Sequence, residues 1–268
     1  MKLLTISILI LLLFLRFPYI FFVKYVFTST KQETLNYFMF DATYVLSAFF
    51  IFLKRDCLYE YNITFDSLLL FTTIPIIRPL VYNFLTPLVP WKIPFHYSWI
   101  QIATSIGLII LIVAKRTSVK KLNSKHLLIW IFISILAGFI VGGAFGFTLG
   151  LNNKIRYIKA SLAIFLYLFI TQLNNAAIIE EPLFRGFLWG TLRKSKVKEI
   201  TIFIIQLLLF WLAHIYYIVQ SPFSFWVVVP VSACLLGVLV MKSKTLTTST
   251  LAHGIINSFG NMVSGFKF

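Results

Sequence analysis

Two adjacent acids and an arginine interrupt a long apolar segment in the stretch Asn174-Asn175-Ala176-Ala177-Ile178-Ile179-Glu180-Glu181-Pro182-Leu183-Phe184-Arg185-Gly186. A charged side chain near the centre of a bilayer costs about 2.5–3.5 kcal/mol on insertion scales. Such side chains are tolerated where they pair with one another or face a polar cavity inside a helix bundle. The stretch therefore predicts a membrane helix that faces a functional site.

Helical geometry separates the roles of the two acids. Glu181 and Arg185 are four residues apart, so their side chains share one helix face and can pair. Glu180 lies about 100° away around the helix, outside this pairing. Pro182 cannot donate a backbone hydrogen bond and crowds the preceding turn, which predicts a kink beside the acids. A buried structural ion pair is the simpler interpretation, but it explains only Glu181 and Arg185.

Composition identifies the class of protein. The chain of 268 residues is 59% hydrophobic and 12% charged, with a mean hydropathy of +0.91. A soluble domain would have about a quarter of its residues charged, so we predict an all-α, polytopic membrane helix bundle. The net charge of +16 then reflects membrane topology and does not indicate a nucleic-acid partner. Cys57 and Cys234 alone cannot form a disulfide framework.

The apolar spans number eight or nine, and most reach the roughly 20 residues needed to cross a bilayer. The first has no clear small-residue cleavage site, so we interpret it as an uncleaved helix rather than a signal peptide. The third contains several prolines and an arginine, and a broken or re-entrant segment is the alternative there. The spans are 3–23, 35–53, 67–90, 97–114, 127–150, 158–188, 200–219, 223–241 and 247–265.

Lysine and arginine are distributed unequally between the two sets of loops. Fourteen lie on the side of residue 2, and seven lie on the other side, including those in the loop at 154–159. Because positive charge is retained on the cytoplasmic side, this asymmetry predicts a cytoplasmic N-terminus. The side with fourteen comprises residue 2 and the loops at 54–55, 115–125, 193–198 and 242–244.

The first five spans carry no chemistry that we can identify. Asp41 is the one acid within them, and a structural pairing with Arg16 or Arg78 is the favoured interpretation. Gly138, Gly142 and Gly146 form a stripe of small residues four apart, the pattern that lets membrane helices approach closely. Packing within the bundle is the preferred interpretation of this stripe, and a homodimer is the alternative.

Two histidines downstream lie inside apolar spans. His214 follows Phe210 by four residues, and Asn257 follows His253 by four, so each pair shares a helix face. A histidine and an asparagine side by side can donate two hydrogen bonds to one oxygen, which is how an oxyanion is stabilised. At 1.5 Å per residue, Glu180, His214 and His253 all lie roughly 12 to 20 Å from the predicted cytoplasmic loop ends. Their depths therefore allow the three side chains to meet.

The three motifs together resemble a known family. Glu180-Glu181-x-x-x-Arg185, Phe210-x-x-x-His214 and His253-x-x-x-Asn257 occur in separate spans and in the order found in the CAAX-protease and bacteriocin-processing family, also called Abi. Members of this family are intramembrane endopeptidases. The resemblance covers roughly residues 158–262. It implies N-terminal transmembrane helices over 1–157, a catalytic core over 158–268, and a polar cavity open to membrane and cytoplasm.

The resemblance also implies a role for each motif residue. Glu180 would be the general base on a water, assisted by His214, while His253 and Asn257 would stabilise the oxyanion. Glu181 and Arg185 would orient the others. Glutamate and histidine also bind zinc, so a metal-bound water held by Glu180, His214 and His253 is the alternative that the sequence leaves open. The sequence has no His-Glu-x-x-His motif, which excludes an ordinary zincin helix.

Three functions remain open on the sequence alone. The favoured one is a membrane protease that contacts the surrounding membrane lipid and acts on a hydrophobic or lipid-anchored peptide or protein. The others are a non-catalytic immunity or regulatory scaffold and a proton-coupled transporter, against which the lack of inverted repeats argues. Lysine outnumbers arginine 17 to 7, and phenylalanine and isoleucine are abundant, which favours a bacterial plasma membrane. In a bacterium, a peptide pheromone, bacteriocin precursor or membrane regulator is the expected substrate, rather than a prenylated protein.

Overall fold

The computed structural model describes residues 61–88, 99–114, 120–152, 161–215 and 217–264, with helical residues at 41–42, 45–46, 48–50 and 52–53. The predicted span at 3–23, the basic loop at 54–55, part of the basic loop at 115–125 and the loop at 154–159 lie outside the described residues. The N-terminus, whose side of the membrane the charge asymmetry predicts, also lies outside the described residues. Cys57 does as well. The orientation of the chain therefore stays a prediction from the sequence.

Helices make up the described part of the chain, and none of its residues forms a strand, which confirms the all-α prediction. The longest helical run, 162–194, passes through the two acids. The helices are α1 (Phe65–Leu85), which is followed by a 3-10 turn (Thr86–Leu88), α2 (Trp99–Ala114), α3 (Ser124–Asn152), α4 (162–194), α5 (Glu199–Leu212), α6 (Tyr217–Gln220), α7 (Ser224–Ser243) and α8 (Leu246–Ser264).

Three helices within the described residues are long and apolar enough to cross a membrane. They are α1, residues Ser124–Leu149 of α3, and α7. Apolar segments of α2, α4 and α5 are shorter. The predicted count of eight or nine spans is therefore not established. One reason is visible in α5, which ends at Leu212 and turns at residues 213–215, whereas its predicted span continues to 219.

Helix α8 packs backbone to backbone against α3 through the glycine stripe. A Cβ atom at Gly142 would lie 3.0 Å from the carbonyl oxygen of Ile256, and one at Gly146 would lie 2.6 Å from that of Gly260. Any larger side chain there would push the two helices apart. The glycine stripe is therefore used for helix packing within the chain, as predicted from the sequence. It also fixes the helix that carries His253 and Asn257.

Helix α4 contains two wide turns on either side of the acids. Residues Leu173–Ala177 and Pro182–Leu188 are π-helical, and only Ile178–Glu181 between them is α-helical. Pro182 lacks a backbone N–H, so the regular ladder cannot continue through it. The break predicted at this proline therefore takes the form of a π-helical segment. Such segments occur frequently at functional sites, where they redirect side chains.

Candidate active site

Glu181 and Arg185 form the fully buried ion pair that their spacing predicts. Arg185 Nη1 donates to Glu181 Oε1 over 2.5 Å, and both side chains are 0% exposed. The Nε and Nη2 atoms of Arg185 have no hydrogen-bond acceptor among the described residues. Instead the guanidinium lies over the ring of Phe210, 4.3 Å from its centroid, where a cation–π interaction offsets part of its desolvation.

His253 joins this pair through the same carboxylate oxygen. Its Nδ1 lies 2.8 Å from Glu181 Oε1. Because a carboxylate oxygen only accepts, the imidazole must donate from Nδ1, which fixes the tautomer of a neutral ring. The other ring nitrogen, Nε2, then faces Glu180 Oε2 at 3.9 Å. Glu181 therefore orients both Arg185 and His253.

His214 is held by the end of α5. Its backbone N–H bonds to the carbonyl oxygen of Trp211, in the tighter pattern of a 3-10 turn. The carbonyl of Phe210, which the N–H of residue 214 would otherwise satisfy, accepts from His214 Nδ1 over 2.8 Å. The side chain therefore caps its own helix. Its Nε2 points at Glu180 Oε2 from 3.7 Å.

Two imidazole nitrogens thus converge on one oxygen of Glu180. Glu180 is 2% exposed, His253 is 5% exposed and His214 is 9% exposed, so the three groups meet in a buried place. Separations of 3.7 and 3.9 Å are too long for direct hydrogen bonds. The predicted meeting of these side chains is confirmed. Their catalytic roles stay predictions.

Asn257 lies one helical turn beyond His253, and its described hydrogen bond leads to α4. Its Nδ2 donates to Gln172 Oε1 over 3.3 Å. Gln172 is buried, and it was not among the residues predicted from the sequence. The signal was present, since a glutamine eight residues before Glu180 is an unusual polar group in an apolar span. The predicted oxyanion role of Asn257 is not tested by this contact.

Phe210 packs at the centre of the site. Its ring centroid lies 4.6 Å from that of His214 and 5.8 Å from that of His253, and the ring also lies under Arg185. Its place in the second motif did not by itself predict a function for Phe210. The structure shows that its carbonyl fixes one histidine while its ring contacts both.

A comparison with known protein families matches the segment that contains these residues. Residues 160–259 match the family described as type II CAAX prenyl endopeptidase Rce1-like. The predicted family resemblance is confirmed for this segment. The match contains all three motifs and extends from α4 into α8. No curated protein and no solved structure matches the chain.

The matched segment contains the residue types of a zinc site. Within the described residues, no group of three or more His, Cys, Asp or Glu side chains is arranged to hold a metal ion. Both Nε2 atoms are directed at Glu180, and Glu181 binds the far nitrogen of His253 as an orienting partner would. Zinc held by Glu180, His214 and His253 stays a prediction.

A small cavity lies beside the two acids. It abuts Pro182 and has a volume of about 10 Å³, which is room for about one water molecule. Apolar side chains dominate its lining, so it does not correspond to the polar cavity predicted from the resemblance. That polar cavity remains a prediction. The lining residues are Ile63, Ser67, Leu68, Leu70, Phe71, Pro182, Leu246 and Thr250.

Proposed function

We propose that this protein is an intramembrane endopeptidase that hydrolyses a peptide bond in a hydrophobic or membrane-anchored peptide or protein. The observation that carries the proposal is the convergence of His214 Nε2 and His253 Nε2 on Glu180 Oε2 at 3.7 and 3.9 Å. The match to the CAAX-protease family and the apolar helices support an integral membrane protease in general. The finer mechanism rests on the chemistry of these side chains.

Glu180 acts as the general base on a water held between it and His214. The Nδ1–H of His214 is engaged by the carbonyl of Phe210, so the Nε2 of the neutral ring can accept from that water. Glu180 accepts from the second O–H bond of the same water. Burial among apolar groups strengthens both interactions, because few competing waters reach the site.

His253 and Asn257 stabilise the negative charge that develops on the substrate carbonyl oxygen. When both nitrogens of His253 carry a proton, Nδ1–H binds Glu181 and Nε2–H is a donor directed into the site. The amide of Asn257 is a second donor and exchanges Gln172 for the oxyanion. Donors fixed before the reaction stabilise a developing charge more than mobile water does.

Glu180 alone can carry the proton that the reaction moves. The water oxygen bonds to the carbonyl carbon while its proton moves to Glu180. The tetrahedral intermediate then collapses, the carbon–nitrogen bond breaks, and Glu180 returns the proton to the leaving amine. One carboxyl group therefore serves first as base and then as acid, which requires it to sit between water and leaving group.

Substitution of Glu180 by glutamine tests the proposal, because it removes the base and keeps the shape. Peptide termini are compared by mass spectrometry in cells that make the wild type, Glu180→Gln or Glu199→Gln at equal membrane levels. Glu199 is a matched control, since it is an acid at the start of α5 whose described partners are Trp189 and Arg193. A farnesylated CAAX peptide is assayed with the same purified proteins.

New termini should appear with the wild type and Glu199→Gln and be absent with Glu180→Gln. The loss should exceed about a hundredfold, the lower end of what a general base contributes. The identities of these termini would also distinguish a prenylated substrate from another membrane peptide. Equal termini in all three samples would refute the proposal and favour a scaffold or transport role.

A further inference from the structure

Asn62, which lies outside the segment that matches the family, contacts α4 and α8, two of the three helices that carry the motifs. Its side-chain Nδ2 donates to the backbone carbonyl of Arg185 in α4 over 3.2 Å. Its own carbonyl accepts from the backbone N–H of Leu246, the first residue of α8, over 2.9 Å. Asn62 is 6% exposed and has a φ of +56°, a left-handed conformation that asparagine tolerates better than most residues.

Two glycines of α4 make room for the chain on either side of Asn62. A Cβ atom at Gly186 would lie 2.9 Å from Ile63 Cδ1, and one at Gly190 would lie 2.8 Å from Tyr61 Cβ. These glycines are four residues apart, so they form a groove on one face of the helix. The segment lies in that groove, against the π-helical turn that follows the two acids.

A second set of hydrogen bonds joins the start of α1 to the start of α8. The carboxylate of Asp66 accepts from Thr64 over 2.5 Å, from Thr245 over 2.9 Å, and from Thr247. The hydroxyls of Thr64 and Thr245 are also 2.9 Å apart. We call residues 61–66 the clasp segment, because they bind α4 on one side and the start of α8 on the other.

We propose that Asn62 is a positioning residue of the protease and that the clasp segment sets the distance between α4 and α8, two of its three motif helices. The inference rests on the proposed function. Arg185 is one turn from Glu181, and Leu246 is seven residues before His253, about 10 Å along α8. A shift between these two anchor points would change the contact between His253 Nδ1 and Glu181 Oε1 and the approach of His253 Nε2 to Glu180.

The variant Asn62→Gly isolates the side-chain hydrogen bond. Glycine keeps the left-handed backbone and the carbonyl that binds Leu246, and it removes only the donor to Arg185. Asn62→Asp is the second variant, since it keeps the size and tolerates the same φ but presents an acceptor to the carbonyl. Lys196→Gly is the control, because Lys196 also has a positive φ, of 60°, and lies in the exposed turn after α4.

The full-length variants are purified in detergent and assayed on an internally quenched peptide that spans a new terminus produced by the wild type. We expect kcat to fall by on the order of tenfold in Asn62→Gly and by more in Asn62→Asp, with KM within about twofold, because small misplacements of reacting groups lower the rate without removing binding. Hydrogen exchange over residues 182–190 should accelerate by about fivefold in both variants. Lys196→Gly should match the wild type in each measurement.

An unchanged kcat in Asn62→Gly, with turnover abolished in Glu180→Gln, would overturn the positioning role and leave the proposed function intact. A fall in kcat matched by the same loss of folded protein would also overturn it, since that result describes a purely structural contact. A wild type that cleaves nothing would refute the proposed function, and with it this inference.

Discussion

Replacing Arg185 by methionine should destabilise the protein far more than the same change at Arg193. Both arginines pair with a glutamate over 2.5 Å, but the Arg185–Glu181 side chains are 0% exposed, whereas those of Arg193 and Glu199 are 27% and 47% exposed. Removing one partner of a buried pair leaves the other as an uncompensated charge, at a cost of about 3–5 kcal/mol. An exposed pair contributes only about 0.2–1 kcal/mol.

These costs convert into a difference in melting temperature that is easily measured. For a chain of this size, each kcal/mol shifts the melting temperature by about 2–4 °C. Arg185→Met should therefore lower it by about 6–20 °C, and Arg193→Met by no more than about 4 °C. Thermal unfolding in detergent, followed by tryptophan fluorescence, measures both, with far-UV circular dichroism to check the helix content of the starting material.

The double variant Glu181→Gln with Arg185→Met tests the physical reason. It removes the unpaired carboxylate that the single variant leaves, and glutamine Oε1 can still accept from His253. The double variant should therefore melt above Arg185→Met alone. The reasoning would be refuted if Arg185→Met lowered the melting temperature no more than Arg193→Met, or if the double variant were less stable than the single one.

Two further predictions concern packing and pH. Gly142→Ala should lower the free energy of unfolding by about 1–3 kcal/mol and lower turnover, because the added Cβ meets the backbone of α8 at 3.0 Å. Gly107→Ala is the control and should not destabilise the chain, because a Cβ there has no atom within 4 Å. Denaturant titration measures the stability of both variants, and peptide cleavage measures their turnover. The hydrogen bond from Arg193 holds the pKa of Glu199 below its usual value of 4.5. A carboxyl whose pKa is lowered in the folded state stabilises the protein at pH values above its usual pKa, and this stabilisation is lost as the pH falls through the folded-state pKa. Between neutral pH and a pH below 4.5, the melting temperature should therefore fall more steeply for the wild type than for Glu199→Gln.

Several features of the site followed from local sequence rules. The pairing of Glu181 with Arg185 follows from their spacing of four residues, which keeps the two side chains near one face of the helix. The depths of Glu180, His214 and His253 in three predicted spans allowed these side chains to meet, since helix rise converts sequence separation into distance, but they did not require it. The stripe of Gly138, Gly142 and Gly146 predicted close packing, and it is used inside the chain.

Other features of the site could not be predicted from neighbouring residues in the sequence. The end of α5 at Leu212 depends on a competition for the carbonyl of Phe210, which the side chain of His214 wins over its own backbone N–H. The π-helical form of the break at Pro182 depends on what packs around α4. Hydropathy along the chain reports neither, because it averages over a window and ignores individual hydrogen bonds.

Composition and helical spacing predicted the helical class, the membrane setting and the motif residues, because both are properties of the chain that need no tertiary contacts. Which atoms face one another depends on tertiary packing. It directed both Nε2 atoms at Glu180 by occupying each Nδ1, and it brought Asn62 to Arg185 across 123 positions of sequence. Contacts at such separations depend on the packing of whole helices, and no local pattern specifies them.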